Sequence, residues 1–217
     1  MKRLSLLAIL LSLLLSVALG QQAQPNKGAD PEQMAIKALP PLLAATVTVK
    51  AADFTPVHGW MRGDSGTQQA IEAMLINGYD ELAQWMKNGG RTIGPSFVIF
   101  NEDPATTPPQ QLTCKVGYAV AEGAKGRHIV RIEKLPAMTA AVMRFQGQLG
   151  ERAALRDTLS NWILARGYAP AGPLMEIYLN GHHRAATPMT DLAEIRWPVR
   201  RLLPRKPLGI ETTSIGK

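Results

Sequence analysis

Asp80-Glu81-Leu82-Ala83-Gln84-Trp85-Met86, followed by Gly90 and then Gly94-Pro95, recurs as Asp157-Thr158-Leu159-Ser160-Asn161-Trp162-Ile163, followed by Gly167 and then Gly172-Pro173. Asp, Leu, Trp and the first Gly keep one constant spacing between the copies. The Gly-Pro pair slips by a single residue, as one loop insertion gives. Upstream, Gly63-Asp64-Ser65-Gly66 matches Gly147-Gln148-Leu149-Gly150, with seven more residues before the first Trp. Seven residues are about two helical turns at 3.6 residues each, so the insertion lengthens a helix and nearly keeps its buried face. The chain is an internal duplication.

Each copy carries the same elements. In the second, Ile129 to Glu133 and Thr139 to Phe145 are extended runs rich in Val, Ile, Met and Phe. Glu151 to Arg166 follows as a helix, with Leu155, Leu159, Trp162 and Ile163 on one face and Gly167 as its stop. Leu174 to Leu179 and Leu192 to Trp197 are then strands. The first copy repeats the plan with Thr46 to Lys50, Val57 to Met61, a longer helix over Gln68 to Lys87, Phe97 to Phe100 and Leu112 to Val120. Ile71, Met74, Leu75, Leu82, Trp85 and Met86 form the longer helix's buried stripe. Short connections favour antiparallel pairing. The expected class is α+β: duplicated strand-helix-strand-strand modules, with two helices covering one large antiparallel sheet.

Composition bounds what such a chain does. It has 217 residues, 46% hydrophobic and 19% charged, with a net charge of +7. That is too apolar and too weakly charged for disorder. Cys114 is the single cysteine, which excludes a disulfide scaffold. Lys2 and Arg3 precede an apolar run from Leu4 to Leu19, and Ala18-Leu19-Gly20 leads into Gln21-Gln22. A basic start, an apolar middle and a small-x-small exit make a cleaved signal peptide over 1–20, hence a periplasmic or secreted protein. Residues 21–44 read as linker, 45–203 as the folded domain (repeat one 45–121, repeat two 128–200) and 204–217 as tail. Lys and Arg are scattered, which argues against nucleic acid as a partner. Arg200, Arg201, Arg205 and Lys206 cluster near the end and read as a solvated tail.

Leu135-Pro136-Ala137 before a strand, the Trp-bearing helix, Gly172-Pro173-Leu174-Met175-Glu176-Ile177-Tyr178 and Ala193-Glu194-Ile195-Arg196-Trp197-Pro198-Val199 occur in an order that resembles the GyrI-like small-molecule-binding domain. That domain is also the effector-binding part of AraC-type and MerR-type multidrug regulators. The resemblance covers roughly residues 45–200. It implies a curved antiparallel sheet with a pseudo-twofold and a ligand cleft between the modules. It implies bulky, flat, often cationic ligands, and for a few relatives hydrolysis of strained-ring toxins. The SOUL haem-binding proteins share the architecture. The lack of a helix-turn-helix and the export signal set this chain apart from the regulators and from the gyrase inhibitor of the family.

Several residues are candidates for the site. Glu176 shares a strand face with Leu174 and Tyr178, and its counterpart in the other copy is Val98, so packing alone does not call for a carboxylate. It serves either a ligand, a solvent-facing edge or a nearby Arg. Glu194 has a counterpart near Cys114. It is a second cleft carboxylate or a salt-bridge partner of Arg131 or Arg196. Tyr178, Trp197, Trp60 and Tyr118 lie on or beside strands and are candidate cleft walls, whereas Trp85 and Trp162 pack the helices.

His182-His183 lacks the spacing of a zinc set, and His58 and His128 are isolated, so no metal and no cofactor are expected. Three functions follow in order. The first is an exported protein capturing an amphipathic, cationic aromatic molecule. The second is an exported hydrolase of an electrophilic small molecule using Glu176 or Glu194, and the third is haem or tetrapyrrole binding.

Overall fold

Ala70, Ile71, Met74, Leu75, Leu82 and Trp85 recur at helical spacing and are all buried along one side of α1, Asp64–Lys87. The stripe presses on the strands Leu42–Lys50 (β2) and Thr113–Ala119 (β4). Gly78 sits at the closest approach. A Cβ there would lie 2.4 Å from Val116 Cγ2 and 2.9 Å from Val49 Cγ2, so only glycine lets the helix come this near. The computed structural model describes residues 34–54, 64–147, 152–179 and 191–203.

The remaining strands are β1 (Met34–Leu39), β3 (Ser96–Phe100), β5 (Arg131–Leu135), β6 (Met138–Gly147), β7 (Tyr168–Pro170), β8 (Leu174–Tyr178) and β9 (Asp191–Arg201); the second helix, α2, spans Arg152–Ala165. All pair antiparallel in the order β1-β6-β9-β8-β3-β4-β2-β5, with β7 added beside β9. Read inward from either edge, the sheet has the same plan: a lead-in strand, the strand before the helix, the last strand, the strand after the helix. The duplication is thus a pseudo-twofold of one curved sheet. Its axis falls between β3 and β8, where Val98 opposes Glu176. These two residues are also each other's equivalents in the repeats, so the axis passes between them.

Two sequence expectations change. The stretch 21–44 was expected as linker, but Met34–Leu39 is β1 and β2 begins at Leu42. β1 is a six-residue edge strand set between Pro31 and Pro40-Pro41, and those prolines make the stretch read as linker although five of its six residues are apolar. In consequence Thr46 to Lys50 belongs to the strand before the helix, and the lead-in strand of repeat one is β1. The expected strand at Val57–Met61, residues 1–33 with the signal segment, and the tail lie outside the described residues.

The faces of the sheet differ. Both helices and Val47, Val98, Val116, Met143, Tyr178 and Ile195 share the main core. The opposite face holds a smaller cluster of Ala44, Phe97, Leu135, Met175 and Ile177.

Candidate functional site

The pairing register defines what surrounds Glu176. One lateral row across the helix-covered face reads Val47, Val116, Val98, Glu176, Ile195 and Met143, strand by strand from β2 to β6. Five of the six are apolar, and Glu176 is only 1% exposed in the middle of them. The next row reads Ala45, Tyr118, Ser96, Tyr178, Ala193 and Phe145. Strand alternation therefore places Glu176 beside a short polar line of Tyr118, Ser96 and Tyr178 on the same face.

The Tyr178 hydroxyl lies 3.4 Å from Glu176 Oε2 and donates towards it. Tyr79 comes down from α1. Its ring meets that of Tyr118 edge to face, with centroids 5.9 Å apart, and its hydroxyl donates to the Phe97 carbonyl at 2.9 Å. The Tyr79 ring is partly exposed, but its hydroxyl is enclosed. Burial holds that hydroxyl's pKa well above the ordinary phenol value, and the nearby Tyr178 and Tyr118 push the same way. Burial also pushes the Tyr118 phenol up to about 12. These tyrosines stay neutral in any physiological medium. A carboxylate in contact with one phenol and a row away from two more offers one negative charge, hydrogen-bonding hydroxyls and electron-rich ring faces, a set suited to a cation.

The polar set occupies one side of the pseudo-twofold only. The equivalents of Glu176, Ser96 and Tyr178 in the other repeat are Val98, Leu174 and Phe100, all apolar. Tyr118 corresponds to Trp197, whose Nε1 donates to the Gly172 carbonyl at 3.1 Å. Tyr79 corresponds to Arg156, which pairs with Asp103. Arg156, Trp197, Leu174 and Phe100 line a small cavity of about 130 Å³ at that end of the central strands.

Glu194 does not join Glu176. It stands opposite Ile177 in the ladder, so its side chain is on the other face of the sheet. There Arg144 Nε reaches its Oε2 at 3.0 Å and Arg196 Nε its Oε1 at 2.7 Å. Burial alone would raise the Glu194 pKa, but hydrogen bonds from Arg196 and Arg144 and their charges outweigh it and hold the group below the ordinary value. Its counterpart by register is Lys115, the residue next to Cys114 and a charged one, because Ile99 opposes Lys115 as Ile177 opposes Glu194. Lys115 also forms an ion pair, with Glu133 at 2.9 Å. A pair of carboxylates acting across one substrate is therefore not built from Glu176 and Glu194.

Of the other expected wall residues, Tyr178 contacts Glu176, Tyr118 lies in the next row two strands away, and Trp197 is at the opposite end of the same face. Trp60, His58, His182 and His183 lie outside the described residues. His128 is exposed, at φ 54 in the turn between Arg127 and Val130. Cys114 is buried, and burial pushes its thiol up to about 12, with Glu102 nearby adding to it. Among the described residues no three His, Cys, Asp or Glu side chains gather as a metal site, and no helix is long and apolar enough to cross a membrane.

Sequence reasoning missed Tyr79 and Ser96. Tyr79 stands between Leu75 and Leu82 at helical spacing, and that signal was present. Ser96 needed the register.

The fold defines a duplicated α+β domain built on one antiparallel sheet. The model of the GyrI-like small molecule binding domain family matches residues 61–200, and the chain belongs to that family. Among solved structures, the EcmrR C-terminal domain is 16% identical, with a TM-score of 0.56 over 78% of this chain and 98% of its own. EcmrR in its complex with DNA is also 16% identical, with a TM-score of 0.59 over 93% of this chain and 68% of its own. A hydrolase from Listeria innocua is 12% identical, with a TM-score of 0.51 over 82% of this chain and 94% of its own. At these identities the likeness is one of fold. A comparison with curated proteins finds no match.

Proposed function

We propose that this chain is an exported binding protein that captures an amphipathic, cationic aromatic molecule in the cleft between its two repeats. The observation that carries the reading is Glu176: a carboxylate at 1% exposure, on the pseudo-twofold, in an otherwise apolar row. A charge in that position costs stability, and the equivalent position manages with Val98, so the fold does not need it. A cation arriving there meets that charge, and the rings of Tyr118 and Tyr79 supply its apolar contact. Export rests on the signal-like anatomy of residues 1–20.

Ethidium, a flat aromatic cation, is a suitable probe, followed by its own fluorescence. Glu176→Gln keeps size and hydrogen bonding and removes the charge. It is expected to weaken ethidium binding by roughly tenfold or more, as loss of a charge-assisted contact does, with thermal stability kept. Equal affinity in the two proteins removes Glu176 from the site. Periplasmic recovery that depends on residues 1–20 tests export.

A further inference from the structure

A second concavity lies away from Glu176, where α1 ends against the segment joining the two repeats. It measures about 500 Å³, within the range of small-molecule sites. Trp85 lines it, and Trp85 Nε1 donates to the Lys125 carbonyl at 2.9 Å, which fixes the joining segment over the helix end. Gly89 and Gly90 form the rim. The repeat shows why the space is open. In α2 the equivalent of Trp85 is Trp162, and the Arg166 guanidinium lies 3.9 Å from that ring's centroid. The equivalent of Arg166 in repeat one is Gly89, at φ +99 with open space where a side chain would stand. One repeat fills the position and the other vacates it.

Arg91, Lys125 and Arg127 border the vacated space, with Glu122 the acidic group among the lining residues. None of the three cations makes an ion pair among the described residues. The C-terminal dipole of α1 opposes an anion with roughly half a charge, and it acts over one turn. Its last carbonyls are already occupied, since Gly89 N–H donates to Met86 O and Gly90 N–H to Trp85 O. Three whole positive charges outweigh that dipole and Glu122 together.

We propose that this concavity is a binding site for an organic oxyanion, a carboxylate or phosphate held by Arg91, Lys125 and Arg127 over Trp85. It is separate from the Glu176 cleft and opposite in charge preference.

The test uses the full chain, with the Trp85 indole N–H resonance followed by NMR and identified through Trp85→Phe. Titration with citrate or pyrophosphate is expected to move that resonance saturably. The double variant Arg91→Ala/Lys125→Ala should weaken binding roughly tenfold, since each exposed contact contributes modestly and is screened by salt. Both side chains are exposed and the Lys125 carbonyl is retained, so the fold is kept. Lys37→Ala, an exposed cation on β1, should change nothing, and Glu176→Gln should leave this site intact while affecting ethidium. A shift produced by phosphatidylglycerol vesicles and by neither free anion assigns the oxyanion to a lipid headgroup. No saturable shift with any of the three probes, or equal weakening in Lys37→Ala, overturns the proposal.

Discussion

Replacing Glu176 with methionine should stabilise the protein while abolishing capture of cations. Methionine nearly matches glutamate in length and suits the apolar row of Val116, Val98 and Ile195 around it. The carboxylate is 1% exposed, and an ion in such surroundings carries a desolvation penalty of several kcal/mol that a methionine does not carry. Against that gain, the Tyr178 hydroxyl, 3.4 Å from Oε2, and the other groups that meet the carboxylate lose their acceptor, at a cost of about 1 kcal/mol each. The net is a gain of about 1–3 kcal/mol, read as a higher urea midpoint at unchanged slope. Each kcal/mol corresponds to roughly 2–4 °C in Tm for a chain of this size. A loss of more than about 1 kcal/mol would refute the reasoning, because it would make the carboxylate a structural partner in place of a cost tolerated for binding.

Three further outcomes are expected. Glu194→Gln should cost about 1–2 kcal/mol near neutral pH, since Arg144 and Arg196 lose a charged acceptor while remaining partly hydrated. The folded-state pKa of Glu194 lies below 4.5, so its contribution is present above that pH and fades as pH falls through the depressed value. Urea midpoints of wild type and variant should therefore converge in acid, and a constant gap would count against it. Gly78→Val should destabilise by about 1–3 kcal/mol through overpacking against Val116, even though glycine inside a helix is ordinarily the weaker choice. A circular-dichroism melt reads it, and an unchanged Tm would mean that α1 shifts freely. Haemin titration should give no sharp, saturating Soret change at one equivalent. Such a change, lost on altering His58, His128 or His182, would revive the tetrapyrrole reading.

The duplication was legible because its markers are residues with strong local demands. Trp85 and Trp162 anchor helices, and Gly90 and Gly167 follow their ends. β1 was not legible, because Met34-Ala35-Ile36-Lys37-Ala38-Leu39 lies between Pro31 and Pro40-Pro41 without strand alternation, and its partner β6 is far along the chain. Glu176 and its shared face with Tyr178 could be read from strand alternation. The separation of Glu194 from it could not, because which face a residue takes relative to a neighbouring strand depends on register, and register is a long-range property. The same limit hid Ser96, whose place between Tyr118 and Tyr178 exists only once three strands are aligned.

The Val98–Glu176 pair on the twofold axis has a consequence for what a fused chain can present there. Two identical modules meeting along this axis would present the same side chain twice, about 5 Å apart across an antiparallel pair. Two glutamates there would repel each other, and two valines would leave no charge. A lone carboxylate at the midpoint is available only to a fused chain, whose halves are free to diverge. Once they have diverged, the two ends of the central strands differ, with Tyr118, Ser96 and Tyr178 at one and Trp197, Leu174 and Phe100 at the other, so a molecule lying across the axis would meet two unlike ends. Fusion turned a twofold-symmetric surface into one with a head and a foot.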